Sequence, residues 1–298
     1  MATVPGPLKN APPRDGIAWF KQQFASVLQR ALANTPFSVD MAAAIAMQET
    51  FTDCWGRLFK SKTTAEVLQL CVGDTIDNRT ARPRGKADLC SAPDGQQMFD
   101  VARQALLAIA QYNADYARAA QNPNKFCHGF GIFQYDIQYF FGPNKDFFLN
   151  QGWYDFEQCL AHLIGELNES LKIAYGSHKT SLTDDEMMYV AIAYNAGRVI
   201  VGGGPKQGHE DSDGLFYGEG FQKYLALAHK VTAPAKVLEL AATRAALPKK
   251  RAGESQPTPS KGSSKRPAPK KAAGKTKRSV KPSRKPARKS AGKNRGRR

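Results

Sequence analysis

Positive charge in this chain is gathered at one end, and that limits where a fold can form. From Lys249 to Arg298 there are 20 Lys and Arg against a single acid, Glu254, which gives this stretch a charge of +19. Residues 1–248 hold 23 basic and 25 acidic groups, a net of −2. A tail built mainly of Lys, Ala, Pro and Ser cannot bury enough apolar surface to offset its chain entropy, so disorder is expected over 248–298. The overall +17 is therefore not a property of the folded part, and the fold must be sought in the body. With 42% hydrophobic residues in 298, the chain can bury a substantial core, which excludes a small disulfide-stapled scaffold.

No apolar run is long enough for a transmembrane helix. The opening MATVPGPLKNAPPRDG lacks the apolar stretch of a secretory signal, and 1–14 reads as a flexible lead-in. Cys54, Cys71, Cys90, Cys127 and Cys159 fall in no CxxC or Cys/His ligand spacing, so no structural zinc is expected. They read as buried thiols of a reduced protein; in an oxidising compartment four of them could pair, leaving one free. The five histidines are scattered with no HExxH pattern, and no cofactor or metal is expected.

Apolar periodicity is helical along most of the body. Ile17, Phe20, Phe24, Val27, Leu28 and Ala31 recur at threes and fours, predicting a helix from after Asp15 to about Leu32. Ser38 can cap a second helix through MAAAIAMQET, with Asp40 in its first turn. Phe51 to Ala92 shows no clear pattern and receives no assignment. Gln96 to Ala120 is dense in Ala, Leu and Gln and predicts one helix, stopped by Asn122, Pro123 and Asn124. The aromatic, glycine-bracketed KFCHGFGIFQYDIQYFFGP reads as a turn with a short helix or strand. Capping-box spacings at Asp155/Gln158 and Thr183/Glu186 open two further helices, the second closed by Gly197. A last helix is expected from about Glu219 to near Leu247. The fold class is mainly α.

Glu49 ends an apolar helix, where the buried face meets a loop. Such a setting disfavours the ionised carboxylate and suits a general acid. Alone this is a weak signal, but it has company. The segment GFGIFQYD, residues 129–136, resembles the GFGLMQVD segment of goose-type lysozymes and the GLMQ motif of soluble lytic transglycosylases. AIAYNAG, residues 191–197, resembles their AYNAG helix end, and AIAMQETF, residues 44–51, resembles the helix that carries their catalytic acid. Three motifs stand in the family's order.

The resemblance implies a lysozyme-like helical domain over 15–247, whose cleft takes a β-1,4-linked amino-sugar chain. It implies a muramidase cutting between N-acetylmuramic acid and N-acetylglucosamine, with Glu49 as general acid. Gln134 would contact the sugar near the scissile bond, Tyr194 would hydrogen-bond the acid, and Asn195 would brace the same wall. Aromatics such as Phe130, Tyr135, Tyr139, Phe140, Trp153 and Tyr217 are more often core residues, but one or two can line a cleft and stack on pyranose faces, and Tyr135 beside Gln134 joins the substrate-binding set on that ground. Asp136 matches the aspartate that helps place a water, as inverting hydrolysis requires of a second carboxylate roughly 6.5–9.5 Å from the acid. If Asp136 is misplaced, the substrate's own C6 hydroxyl can attack instead and leave an anhydro-sugar. Glu49 and Gln134 are 85 residues apart, wider than the family's spacing, which implies an insertion over about 55–125. Such an insertion is tolerable because loop-closure cost grows slowly with length.

The tail resembles the C-terminal tails of linker histones, and its lysines and arginines, without interleaved aromatics, favour phosphate contacts. Nucleic acid, teichoic acid and lipopolysaccharide all fit. Two other functions remain open: a nucleic-acid-binding protein with a catalytically idle lysozyme-like body, and a chitinase or chitosanase of the same fold. The chain is expected to be monomeric, made in the cytoplasm without a classical signal, and to act on the cell wall after release or non-classical export.

Overall fold

The computed structural model describes residues 8–75, 81–176 and 179–232. The expected lead-in over 1–14 falls partly outside these residues, and the basic tail over 248–298 wholly so. The described chain is mainly helical, with one small sheet.

At the centre lies α2 (Val39–Ala46), a short helix buried from Met41 through Ala46. Its alanines leave room for close neighbours on every side. Helix α1 (Pro13–Leu32) and helix α10 (Tyr217–His229) pack against it, and α9 (Asp184–Ala196) bridges α10 to α8 (Phe156–Tyr175). Ser38 caps α2 by accepting from the Met41 amide at 3.0 Å. The apolar stripe of α1 buries Ile17, Phe20, Phe24 and Leu28, with Phe24 stacked on Phe156 of α8 at 3.8 Å between ring centroids.

Thr183 and Glu186 form the expected reciprocal cap on α9. Asp155 caps α8 differently from expectation. It accepts from the Glu157 amide at 2.8 Å, and Gln158 reaches the Asp155 carboxylate rather than its backbone. Gly197 ends α9 in the left-handed conformation at φ 68°.

The unassigned stretch 51–92 folds into a 3₁₀ turn (Trp55–Arg57), α3 (Thr64–Leu70), strand β1 (Val72–Gly73) and α4 (Lys86–Cys90). A capping box at Thr63 and Glu66 starts α3. The single helix expected over 96–120 is two, α5 (Gly95–Ile109) and α6 (Ala114–Ala120). Asn113 breaks it: its carboxamide oxygen accepts from Asp115 at 2.9 Å while its nitrogen donates to Asp53 O at 2.7 Å. A buried side chain satisfied at both ends outweighs the helix propensity around it. Arg103 of α5 then gathers the carbonyls of Ala120, Asn122 and Lys125 at 2.6–3.0 Å and steers the chain back. Strands β2 (Gly129–Phe130) and β3 (Tyr135–Asp136) complete an antiparallel sheet of order β1-β2-β3, pairing Gly73 with Gly129 and Gly129 with Asp136. The stretch 55–125 is thus no appendage: it supplies an edge of the sheet, and Trp55, Val67, Val72 and Met98 share one core with α1 and α2.

The last helix ends at His229, and its expected continuation toward Leu247 lies outside the described residues. That end is tied down by charge. The buried Lys21 ammonium contacts Asp40 and the carbonyls of Ala228 and Val231, all at 2.6 Å, so its three protons have three acceptors. His229 lies 2.7 Å from Asp40 and 3.1 Å from Asp184, clasping α10 to the starts of α2 and α9. Partial burial favours its neutral form, but hydrogen bonds to Asp40 and Asp184 and their charges raise it above the ordinary 6.5. A raised folded value means the stabilisation is complete below 6.5 and fades as pH climbs through the folded value. His229→Gln should therefore lower the unfolding midpoint clearly at about pH 6 and much less at about pH 8.5, as read by urea titration at the two pH values.

Candidate active site

Helix α2 does not end in a normal last turn. From Met47 to Phe51 the backbone widens into a π turn, a form concentrated at functional sites, and Glu49 sits half-buried within it. The next residue, Thr50, is buried and donates to the carbonyl of Ile132 at 2.7 Å. This fixes the Glu49 turn against the segment 129–136, across 82 residues of chain.

That segment is a tight β2–β3 hairpin. Gly131 adopts φ 80° and Gln134 φ 55°, the latter a conformation that costs a non-glycine residue about 1–3 kcal/mol and persists only where its surroundings enforce it. The Gln134 amide donates to Gly131 O at 3.0 Å and its side chain donates to the same oxygen at 3.2 Å. The carboxamide lies over two glycines: a methyl on Gly129 would collide with it, and one on Gly73 would come within 2.7 Å of Oε1. The first glycine of the motif therefore makes room for the glutamine itself.

Gln134, from the turn, and Asp136, from β3, both line the cleft, whereas Tyr135 between them does not. Tyr135 is buried, stacked between Tyr139 at 4.6 Å and His162 at 4.1 Å, with Asn144 donating to its hydroxyl at 2.6 Å. Asp136 caps the following 3₁₀ turn (Ile137–Phe141) through the Gln138 amide at 2.8 Å.

The third wall is the end of α9. Tyr194 donates to Phe133 O at 2.5 Å, behind the hairpin. Burial, and then the nearby Glu49 charge, push its phenol well above the ordinary range. Asn195 accepts from the His209 amide at 2.8 Å and so holds the loop leading into α10. That loop delivers Tyr217, whose hydroxyl donates to Glu49 Oε1 at 2.7 Å. Burial first, then the Glu49 charge, raises the Tyr217 phenol well above its usual value, so it stays a donor at any working pH. From sequence Tyr217 is one of several aromatics able to line the cleft and stack on a sugar; its bond to Glu49 carries no sequence signal beyond an aromatic ring at the start of a helix.

Glu49, Gln134, Asp136 and Asn195 line one open cavity of about 480 Å³, while Tyr135 and Tyr194 stand outside its lining. Asp53, just after the Glu49 turn, joins this lining, the 55–125 stretch adds Asp74 and Tyr116, and the α9–α10 loop adds Asp211. Among the described residues, five carboxylates thus face the cavity and no Lys or Arg lines it. Desolvation raises the Asp53 carboxyl above its usual range, with Arg57 opposing and Asp115 reinforcing. Chemically the cavity offers a half-buried acid held by a phenol, further carboxylates to accept protons or order water, and neutral amides suited to hydroxyl and acetamido groups. No protein-family model, curated protein or solved structure matches the chain.

Thr50→Val preserves shape but strands a buried carbonyl at Ile132, and should cost about 1–3 kcal/mol in denaturant unfolding. Gly129→Ala should cost a similar amount, about 1–3 kcal/mol, by forcing the Gln134 carboxamide aside. Both variants should keep the helical far-ultraviolet signal of the parent.

Proposed function

We propose that the chain is a glycosidase of muramidase type with a lysozyme-like fold, cutting the β-1,4 bond between N-acetylmuramic acid and N-acetylglucosamine. One observation carries the reading: Glu49, Gln134, Asp136 and Asn195, drawn from the three motif segments, line a single cavity. Glu49 protonates the glycosidic oxygen, and the Tyr217 hydrogen bond fixes the direction in which its carboxyl points. Protonation at neutral pH needs an acid shifted by roughly two units, about 3 kcal/mol, which enclosure by glycan can add to partial burial. Gln134, held in its strained conformation over Gly73 and Gly129, contacts the sugar beside the scissile bond. Asp136 orders the attacking water for inversion. If the water is excluded, the C6 hydroxyl of the muramic acid takes its place.

A second substrate is favoured by the cavity's electrostatics. Five carboxylates, with no Lys or Arg among the described lining residues, suit a glycan carrying free amines, such as chitosan, better than one dense in carboxylates. Comparing digestion of purified peptidoglycan and chitosan separates the two.

Glu49→Gln keeps the shape of the acid but has no proton to give. It should slow clearing of cell-wall suspensions by about 10²–10⁴-fold with unchanged folding. Equal clearing by variant and parent would sink the assignment.

The tail, outside the described residues, supports attachment to a phosphate-rich polymer once the enzyme reaches the wall by release or non-classical export. Binding through about six to ten phosphates should weaken about 10³–10⁵-fold between 50 and 200 mM salt. Deleting 249–298 should abolish that binding and leave turnover of short neutral glycans nearly intact. Salt-resistant binding by the truncated chain would instead put the polyanion site in the body.

A further inference from the structure

Two parts of this chain carry opposite charge and lie within reach of each other. Glu49, Asp53, Asp74, Asp136 and Asp211 share one open cavity of about 480 Å³, and among the described residues no Lys or Arg lines it, although Arg57 acts on Asp53 from beside it. The stretch 249–298 carries 20 Lys and Arg against the single acid Glu254. We infer that this basic segment docks in the cavity of its own chain, its Lys and Arg side chains against Asp53, Asp74 and Asp211, and that a phosphate-rich polymer draws it out.

Charge complementarity selects the cavity over the rest of the surface. Elsewhere Asp15, Asp40, Glu66, Asp94, Glu169 and Glu186 each sit against a lysine of the body, which compensates their local field. A concave wall of low dielectric does the opposite for grouped carboxylates: it focuses their field through the mouth and concentrates cations there. Asp53 and Asp211 are exposed and Asp74 is half-buried, so all three are open to side chains arriving from solvent. Lys and Arg carry their charge on long stems and can enter such a cavity while their backbone stays outside.

Connectivity permits the contact. Helix α10 starts in the cavity wall at Tyr217 and runs 13 residues to His229, about 20 Å at the rise of a helix. The described chain ends at 232, and Lys249 lies 17 residues further on. A random coil of that length spans about 20–25 Å, enough to lead back along α10 to the cavity. Tethering at this range gives an effective concentration on the order of millimolar, so ion pairs that are weak one by one suffice. On the glycosidase reading of the cavity, the docked segment competes with the glycan at low salt until a polyanion removes it. At about 200 mM salt the contact is screened, and truncation leaves turnover intact.

Zero-length carbodiimide crosslinking of the full chain tests the docking, because it joins a lysine amine only to a carboxylate in contact with it. A mixture of ordinary and ¹⁵N-labelled chains would be treated at about 20 and about 200 mM salt, and at the lower salt with added polyphosphate, then mapped by mass spectrometry. The expected result at low salt is links from the 12 lysines of 249–298 concentrated on Asp53, Asp74 and Asp211, within one isotopic chain. High salt or polyphosphate should abolish them. Links spread equally over exposed acids such as Asp100, Glu157 and Asp185, links between differently labelled chains, links that survive both treatments, or no tail links at low salt would overturn the docking. The map does not pass through activity, so failure of the docking and failure of the glycosidase reading are told apart.

Discussion

The Thr50 hydroxyl meets the Ile132 carbonyl at 2.7 Å inside the core, and the cavity is organised around that contact. It joins the turn after a buried alanine-rich helix to a hairpin 82 residues away. Without it, the half-buried Glu49 and the strained Gln134 would sit on two elements with independent freedom. Both atoms are out of water, so breaking the bond strands a polar group on one side, and that penalty keeps the two walls in register. Everything else in the site is added to this pair: the α9 end behind it through Tyr194 and Phe133, and the α10 start across it through Tyr217 and Glu49.

The same economy governs charge. The cavity concentrates carboxylates, whereas the buried cation Lys21, midway along α1, sits against the end of α10 and is matched by Asp40 and two carbonyls. Among the described residues no Lys or Arg lines the cavity, although Arg57 acts on Asp53 from beside it. The cost is mutual repulsion. The Asp53 carboxyl, raised by desolvation and by Asp115, shows one way the site absorbs it.

Where one element carries its own signal, the sequence is easy to read. The stripe on α1, the Ser38 cap on α2, the Thr183/Glu186 box and the Gly197 stop on α9 are all local, and all are in the structure. Legibility fails where a distant partner decides. Asn113 splits a helix because Asp53 O is waiting for its amide, and β1 is a strand only because Gly129 and Phe130 lie beside it. The same holds in the cavity. Glu49, Gln134, Asp136 and Asn195 could be nominated from motifs. Asp74 and Tyr116 could not, and Tyr217 only as one aromatic among several, since their place depends on how loops return to the cleft. Tyr135 shows the reverse: adjacent to Gln134 in sequence, it points into a packed aromatic group.

We propose that this cavity cleaves an amino-sugar chain by proton donation from Glu49. Mass spectrometry of soluble products from purified cell-wall sacculi tests it most directly, because it reads which bond is broken and what replaces it. The account predicts muropeptides whose glycan ends in a reducing N-acetylmuramic acid carrying one added water. Ends that are solely 1,6-anhydromuramic acid would contradict the role given to Asp136, and sacculi and chitosan both left intact would contradict the glycosidase itself.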